Sequence, residues 1–261
     1  MTSGRPRGTL RAQYQHVKVT LRKNRERLTE RIAEASSAAD RSPSELCVVA
    51  ITKYVEPEAA LALAELGQRD LGENRAASLE AKAAAFRAAE AQARWHFVGH
   101  LQRNKARRVA KIADVIHSVD TPQLIRTLDR IAMEEERKLE VFLEVRLTDE
   151  PTKHGFSEEE LSQGLDALRE SPHLVALGLM GMSPARGSSA TAGDAFSRLR
   201  ALADSLEADP ATRALFHSER VLTSMGMSGD FPQAIAAGAD YLRIGSSFFE
   251  GLDQEPKEVP A

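Results

Sequence analysis

The chain is poor in cysteine. Cys47 is the only one in 261 residues, so no internal disulfide can form and no multi-cysteine metal site can be built. It sits within the apolar run Cys47-Val48-Val49-Ala50-Ile51, where a thiol reads as a small core residue rather than a nucleophile. Long apolar runs are missing too. Nothing approaches the roughly 18 consecutive residues a membrane helix needs, and residues 1–15 have no apolar signal-peptide core. Neither membrane spanning nor secretory export is therefore expected, and the cytoplasm is the expected location. No G-x-G-x-x-G motif follows any strand-like run, which removes the usual dinucleotide fingerprint. Neither sign of charge dominates: 35 basic and 38 acidic residues leave a net charge of −3, with no general electrostatic case for nucleic acid or a membrane surface. Aromatics make up only 5% of the chain. The basic run Arg103-Asn104-Lys105-Ala106-Arg107-Arg108 lacks stacking platforms beside it and reads as a solvated helix face. None of His96, His100, His117 and His154 shows metal-ligand spacing with carboxylates, so no metal is expected.

What is present is a regular alternation. Hydrophobic residues make up 42% of the chain and charged residues 28%, ordinary for a globular protein large enough to bury a full core. Short apolar windows at 46–52, 69–72, 95–98, 115–119, 140–147, 174–180, 221–225 and 241–244 read as strands; the second is the weakest. Helical patterns fill the gaps at 57–66, 75–93, 104–112, 121–138, 157–169, 193–206 and 231–237, and a further helix at about 10–39 precedes the first strand. Several start on recognisable signals: Glu56-Pro57, Thr121-Pro122, and Ser157 with Glu160 three residues on. Eight strands, nearly all followed by a helix, predict an α/β chain folded as a single (β/α)₈ TIM barrel with an extra N-terminal helix. Residues 10–252 are expected to form one domain between flexible tails at 1–9 and 253–261. The irregular stretch 183–191 is expected to be a mobile loop at the face where barrel active sites form.

That topology would bring the strand-end residues together. Lys53 ends the first strand, where an amine can stand over the barrel mouth and condense with an aldehyde. The bland reading is a solvated strand-end lysine. Gly72-Glu73-Asn74 follows the second strand, and His100 stands just after the third. Ser224-Met225-Gly226-Met227-Ser228 follows the seventh strand, and Gly245-Ser246-Ser247 the eighth. Barrels commonly hold a phosphate between their last two loops, and glycine with serine hydroxyls and a helix start suits that task. An ordinary strand-end bend is the alternative for this turn. Arg243 lies within the last strand and must be paired, because a buried unpaired charge is very costly. It either holds a core carboxylate such as Glu144 or touches the ligand. His96 reads as a hydrogen-bonded structural histidine, and the charged segment 150–155 either closes over the mouth or braces it.

These stretches also resemble a known family. Ala50-Ile51-Thr52-Lys53, Gly72-Glu73-Asn74, the run from Trp95 to Lys105, and His117-Ser118-Val119-Asp120 are similar to the pyridoxal phosphate (PLP) homeostasis proteins. So are Glu150 with Lys153 and Gly155, Gly178-Leu179-Met180, the run from Ser224 to Asp230, and Arg243-Ile244-Gly245-Ser246. The resemblance implies a barrel of the alanine racemase N-terminal type (fold type III) and pyridoxal 5′-phosphate as cofactor. It implies a Schiff base on Lys53, a phosphate site at Ser228, Gly245 and Ser246, and Ser224 near the pyridine nitrogen. Asn74, Met225 and Arg243 would line the pocket. It further implies a role in intracellular PLP balance without established turnover, PLP-dependent apoenzymes as recipients, and a monomer. Arg75 stands where the family usually carries tyrosine, and Arg146 where it often carries asparagine; both concern secondary contacts. The enzyme alternatives are a weak amino-acid racemase and a phosphosugar lyase. Two-base racemisation is not expected, because only residues 245–261 follow the last strand, too few for the β-rich domain that supplies a racemase's second base. The lyase would need an acid/base carboxylate near Lys53.

Overall fold

A computed structural model describes residues 7–147, 154–184 and 191–252. A long helix α1 (Arg7–Ala38) and a 3-10 turn (Pro43–Glu45) lead into β1 (Cys47–Ile51). There follow α2 (Pro57–Glu65), β2 (Asp70–Glu73), α3 (Ala76–Ala88) and β3 (Arg94–Phe97). A 3-10 turn (Arg103–Lys105), α4 (Ala106–Ala110), β4 (Val115–Val119), α5 (Pro122–Glu134) and β5 (Leu139–Val145) come next. The second half runs α6 (Leu161–Arg169), β6 (Leu174–Gly181), α7 (Ala192–Ala208), α8 (Pro210–Arg213), a 3-10 turn (His217–Glu219) and β7 (Leu222–Ser224). It ends with α9 (Phe231–Ala236), β8 (Tyr241–Ile244) and α10 (Ser246–Phe249). All neighbouring strands pair in parallel and in chain order, and β8 returns to β1, so the sheet closes into the expected barrel.

Strand alternation divides the core in two. Inside the barrel lie Val49, Ile51, Val115, Phe142, Leu177, Met180 and Tyr241. Their neighbours Ala50, Ile116, Val141, Leu143, Leu179 and Leu242 face the other way and join the larger cluster under the helices. Gly178 permits one close approach, since a Cβ there would lie 1.8 Å from the Leu222 carbonyl oxygen of the adjacent strand. Helix α1 buries Leu21, Asn24, Leu28 and Ile32, one face at helical spacing, and packs on α2, α9 and α10. The Asn24 amide donates to the carbonyls of Phe248 (2.9 Å) and Glu250 (2.8 Å), which ties the first helix to the turn after the last strand.

Two helix starts fall on the expected signals, α2 at Pro57 and α5 after Thr121, whereas α6 begins at Leu161, beyond the expected Ser157. Thr121 caps α5 at the Leu124 N–H (3.2 Å), and Ser157 and Glu160 exchange side-chain-to-backbone hydrogen bonds before α6. The helix ends differ. α3 stops at Ala88 rather than residue 93, and α5 at Glu134 rather than residue 138, because Glu90 (φ 52°) and Glu136 (φ 51°) enter the left-handed region just beyond. Helix α8 was not expected; Asp209 caps it at the Ala211 N–H, with Pro210 as its first residue. Among the described residues, no helix is long and apolar enough to cross a membrane. The expected tail at 253–261, most of that at 1–9, Glu150 and Lys153, and most of the 183–191 loop lie outside the described residues.

Candidate functional site

The carboxyl ends of the strands form one mouth. At β1, the Thr52 N–H donates to the Gly72 carbonyl (2.9 Å) and the Thr52 hydroxyl to Glu73 Oε1 (2.6 Å). Glu73 points out of the barrel, fully buried, and takes a second bond from Lys82 Nζ on α3 (2.6 Å). The residue preceding Lys53 is thus fastened to both β2 and α3. Lys53 itself is exposed, its Nζ 4.8 Å from the centroid of the Tyr54 ring. An amine on a fixed backbone with a free side chain can meet an incoming aldehyde. Tyr54, Met182 and Met227, exposed apolar side chains, stand around the same rim.

Across the β1–β8 pair, where Ala50 sits opposite Ile244, lies the second feature. The backbone N–H groups of Gly245 and Ser247 both donate to Ser228 Oγ, each at 3.3 Å. The β7 loop supplying Ser228 is shaped by Asp230, which accepts from the Met227 N–H (2.6 Å) and the Ser183 hydroxyl (2.6 Å). Its turn needs glycine at position 226, where φ is 87° and a Cβ would lie 2.5 Å from Ala234 Cβ. Gly245 is different. Its φ is −113°, and a Cβ would meet nothing nearer than the Ile51 carbonyl oxygen at 3.5 Å. Neither backbone nor packing demands glycine, so its missing side chain leaves open space beside two convergent N–H donors. That arrangement fits a phosphate. Ser246 lies exposed next to it.

Beneath the mouth, inward-facing polar residues join in one chain. Arg243 donates to Ser224 Oγ (2.7 Å) and to the Gly181 carbonyl (2.9 Å). Ser224 Oγ bonds His117 Nδ1 (2.8 Å), His117 Nε2 bonds His96 Nδ1 (2.9 Å), and His96 Nε2 bonds Asp70 Oδ1 (2.9 Å). Ser224, His117 and His96 are fully buried. Burial pushes His96 below the ordinary histidine range and His117 well below it, so both rings are neutral at pH 7. Burial also brings Arg243 down to about 10, which leaves it charged; Glu144 and Asp230 act on it as favourable charges. Arg243 thus spends its hydrogen bonds on Ser224 and a carbonyl, not on Glu144. Glu144, also buried, is pushed up to about 7 by burial and by the Asp120 charge.

The other expected residues fall in varied places. Asn74 is half-buried at the end of β2, and its backbone is so close to Gly99 that a Cβ there would lie 2.1 Å from the Asn74 oxygen. Met225 is fully buried and belongs to the cluster under the helices. Arg75 is exposed before α3, and Arg146 reaches toward Glu160 (3.8 Å). Sequence reasoning treated the histidines singly and missed two groupings. One is the His96–His117 chain. The other is His100 and His154, stacked at 3.6 Å beside buried Asp120. The two rings are nearly parallel (10°), so their in-plane lone pairs run alongside each other instead of converging on one ion. His96 and His117 were detectable as inward positions of neighbouring strands.

Comparison with known proteins places the chain among relatives. Residues 24–252 match the family profile "Alanine racemase, N-terminal domain". The "Pyridoxal phosphate homeostasis protein" of Pseudomonas aeruginosa is 33% identical over 235 residues, 90% of this chain and 96% of that protein. PipY of Synechococcus elongatus, solved with PLP bound, is 32% identical, with a TM-score of 0.70 over 84% of this chain and 99% of its own. An alanine racemase of Clostridium difficile shares the fold alone: 12% identity and a TM-score of 0.67, over 88% of this chain and 56% of the racemase.

Proposed function

The chain belongs to the pyridoxal phosphate homeostasis protein family, and from that premise we propose that it binds pyridoxal 5′-phosphate through Lys53 and buffers the cofactor inside the cell without turnover of its own. The observation that carries the reading is the convergence of the Gly245 and Ser247 N–H groups on Ser228, one strand away from Lys53. When bound, the cofactor supplies an aldehyde that condenses with an amine, and a ring that draws electron density. Lys53 provides the amine. Ser228, Gly245 and Ser246 take the phosphate, and Ser224 faces the ring nitrogen with Arg243 behind it. Asn74 and the backbone of Met225 line the pocket. The binding domain is residues 10–252, the location cytoplasmic and the protein monomeric, with PLP-dependent apoenzymes as recipients.

The test is borohydride reduction of the protein mixed with PLP, followed by peptide mass mapping, beside Lys53→Ala. A reduced adduct on the Lys53 peptide that vanishes in the variant is expected. No adduct in the wild type overturns the cofactor assignment and moves the phosphosugar-lyase reading forward. A second reading, weak amino-acid racemase activity, draws on Glu144, whose carboxyl is held near neutrality under the mouth. Solvent-deuterium exchange at the α-carbon of L-alanine that falls in Glu144→Gln would favour it.

A further inference from the structure

The chain from Arg243 to Asp70 crosses the barrel interior from the mouth to its opposite rim, and its proton directions can be worked out from one end. Asp70, side chain 27% exposed at the start of β2, is held below the ordinary carboxylate range by His96 and Arg94 against the effect of its partial burial, so it is an acceptor. His96 must then carry its proton on Nε2, which leaves Nδ1 to accept. His117 accordingly donates from Nε2 and accepts at Nδ1. Ser224 must donate its one proton to His117, while its oxygen accepts from Arg243. The single lone pair that remains faces away from both. In this state the Ser224 hydroxyl offers the mouth an acceptor and no donor.

We propose that Asp70 is a positioning residue for the mouth: through His96 and His117 it sets the direction of the Ser224 hydroxyl, and uptake of one proton by the chain, its charge stored at the Asp70 end, reverses that direction. The balance is simple. When Ser224 takes up one proton from the mouth, it passes its own proton to His117 Nδ1, and His117 passes its Nε2 proton to His96 Nδ1. The added charge comes to rest on His96 or, with the Nε2 proton passed on, on Asp70. His117 then donates from Nδ1 to Ser224 Oγ, and the proton newly taken up by the serine points outward. Counted over Asp70, His96, His117 and Ser224, the oriented chain holds three protons and the reversed chain four. Every heavy atom keeps its place.

The consequence rests on the reading that Ser224 faces the ring nitrogen. The Arg243 guanidinium, bonded to the same serine oxygen, disfavours a second positive charge there. A ring nitrogen without its proton needs a donor, so binding of that form draws one proton into the chain at Ser224, with its charge stored at the far rim. The groups around the far end are Cys47 from β1, Arg94 from β3, Asp114 before β4, Glu140 from β5 and Tyr241 from β8. Arg94 also pairs with Glu140, so removing the Asp70 carboxylate leaves its charge compensated. Around the near end stand Glu144 and Asp230, and Phe142 stacks on His117 with ring centroids 4.7 Å apart.

Two measurements test this on the full chain. In the ligand-free protein, ¹⁵N NMR should show His117 and His96 each as one neutral tautomer, protonated on Nε2; Asp70→Ala should mix or invert both while the fold is retained, with Asp70→Asn as a second variant. Calorimetry of PLP binding in buffers of different ionisation enthalpy should show Asp70→Ala taking up one proton fewer per site than the wild type. A His117 protonated on Nδ1 in the wild type, tautomers indifferent to Asp70, or equal proton uptake in both proteins would overturn the proposal. If PLP does not bind at all, the cofactor reading fails and the NMR arm still decides the relay.

Discussion

Glu144 makes the sharpest stability prediction. Burial, reinforced by the Asp120 charge and only partly relieved by Arg243, raises its carboxyl to about 7. In the unfolded chain a glutamate titrates near ~4.3. The folded state therefore holds a proton that the unfolded state releases between those values. This is the reverse of the usual carboxylate case: the contribution of Glu144 to stability is greatest at low pH and falls as pH rises from ~4.3 to about 7, by about 1.4 kcal/mol per unit. The full window corresponds to roughly 4 kcal/mol, and the residue is 4% exposed, so little of it is lost to solvent screening. Glu144→Gln keeps the shape and removes the charge. It should match the wild type near pH 4.5 and exceed it by up to roughly 4 kcal/mol near pH 8. Urea unfolding of both proteins across that range gives the difference curve. A flat curve, or a variant less stable than the wild type at pH 8, would show that Glu144 is ionised and earns its place by pairing with Arg243.

The remaining expectations concern the frame around the mouth. Lys82→Met leaves Glu73 fully buried with only the Thr52 hydroxyl as partner and should cost roughly 3–5 kcal/mol by denaturant unfolding. Joining it to Glu73→Gln should restore much of that loss, whereas strictly additive losses would mean the pair is not coupled. Gly99→Ala would bring a Cβ to 2.1 Å from the Asn74 oxygen, so the backbone after β2 must move. A loss of about 1–3 kcal/mol and weaker PLP binding are expected; an unchanged melting temperature would show that this approach is not rigid.

The barrel was legible because each strand is bounded by its own local signals: an apolar run, then a cap or turn residue before the next helix. Even the weak window at Asp70-Leu71-Gly72 is a strand, since Leu71 alone faces the helices while Asp70 and Gly72 face inward. Lys53, Ser228 and Gly245 could be chosen from their place at strand ends, because closure of a barrel brings all such ends together. What the strand windows could not show is which inward residues touch. His96 and His117 are 21 positions apart, His117 and Ser224 107, and the hydrogen bonds between them exist only once β3, β4 and β7 share one closed interior. Glu73 illustrates the same gap from the other face. Read as part of a strand-end motif, it instead turns outward to meet Lys82, a lysine that helical periodicity alone would leave in solvent. Strand alternation, applied after closure, would have recovered both: Asp70, His96, His117, Glu144, Ser224 and Arg243 all lie on inward positions, and an apolar barrel has no structural need for so many polar groups at its axis. Apart from Glu144, their hydrogen bonds satisfy one another, which offsets much of the cost of burying them but gives no reason for placing them there. A direction-setting role at the mouth supplies that reason, and it makes the inward face of the strands as informative about function as their ends.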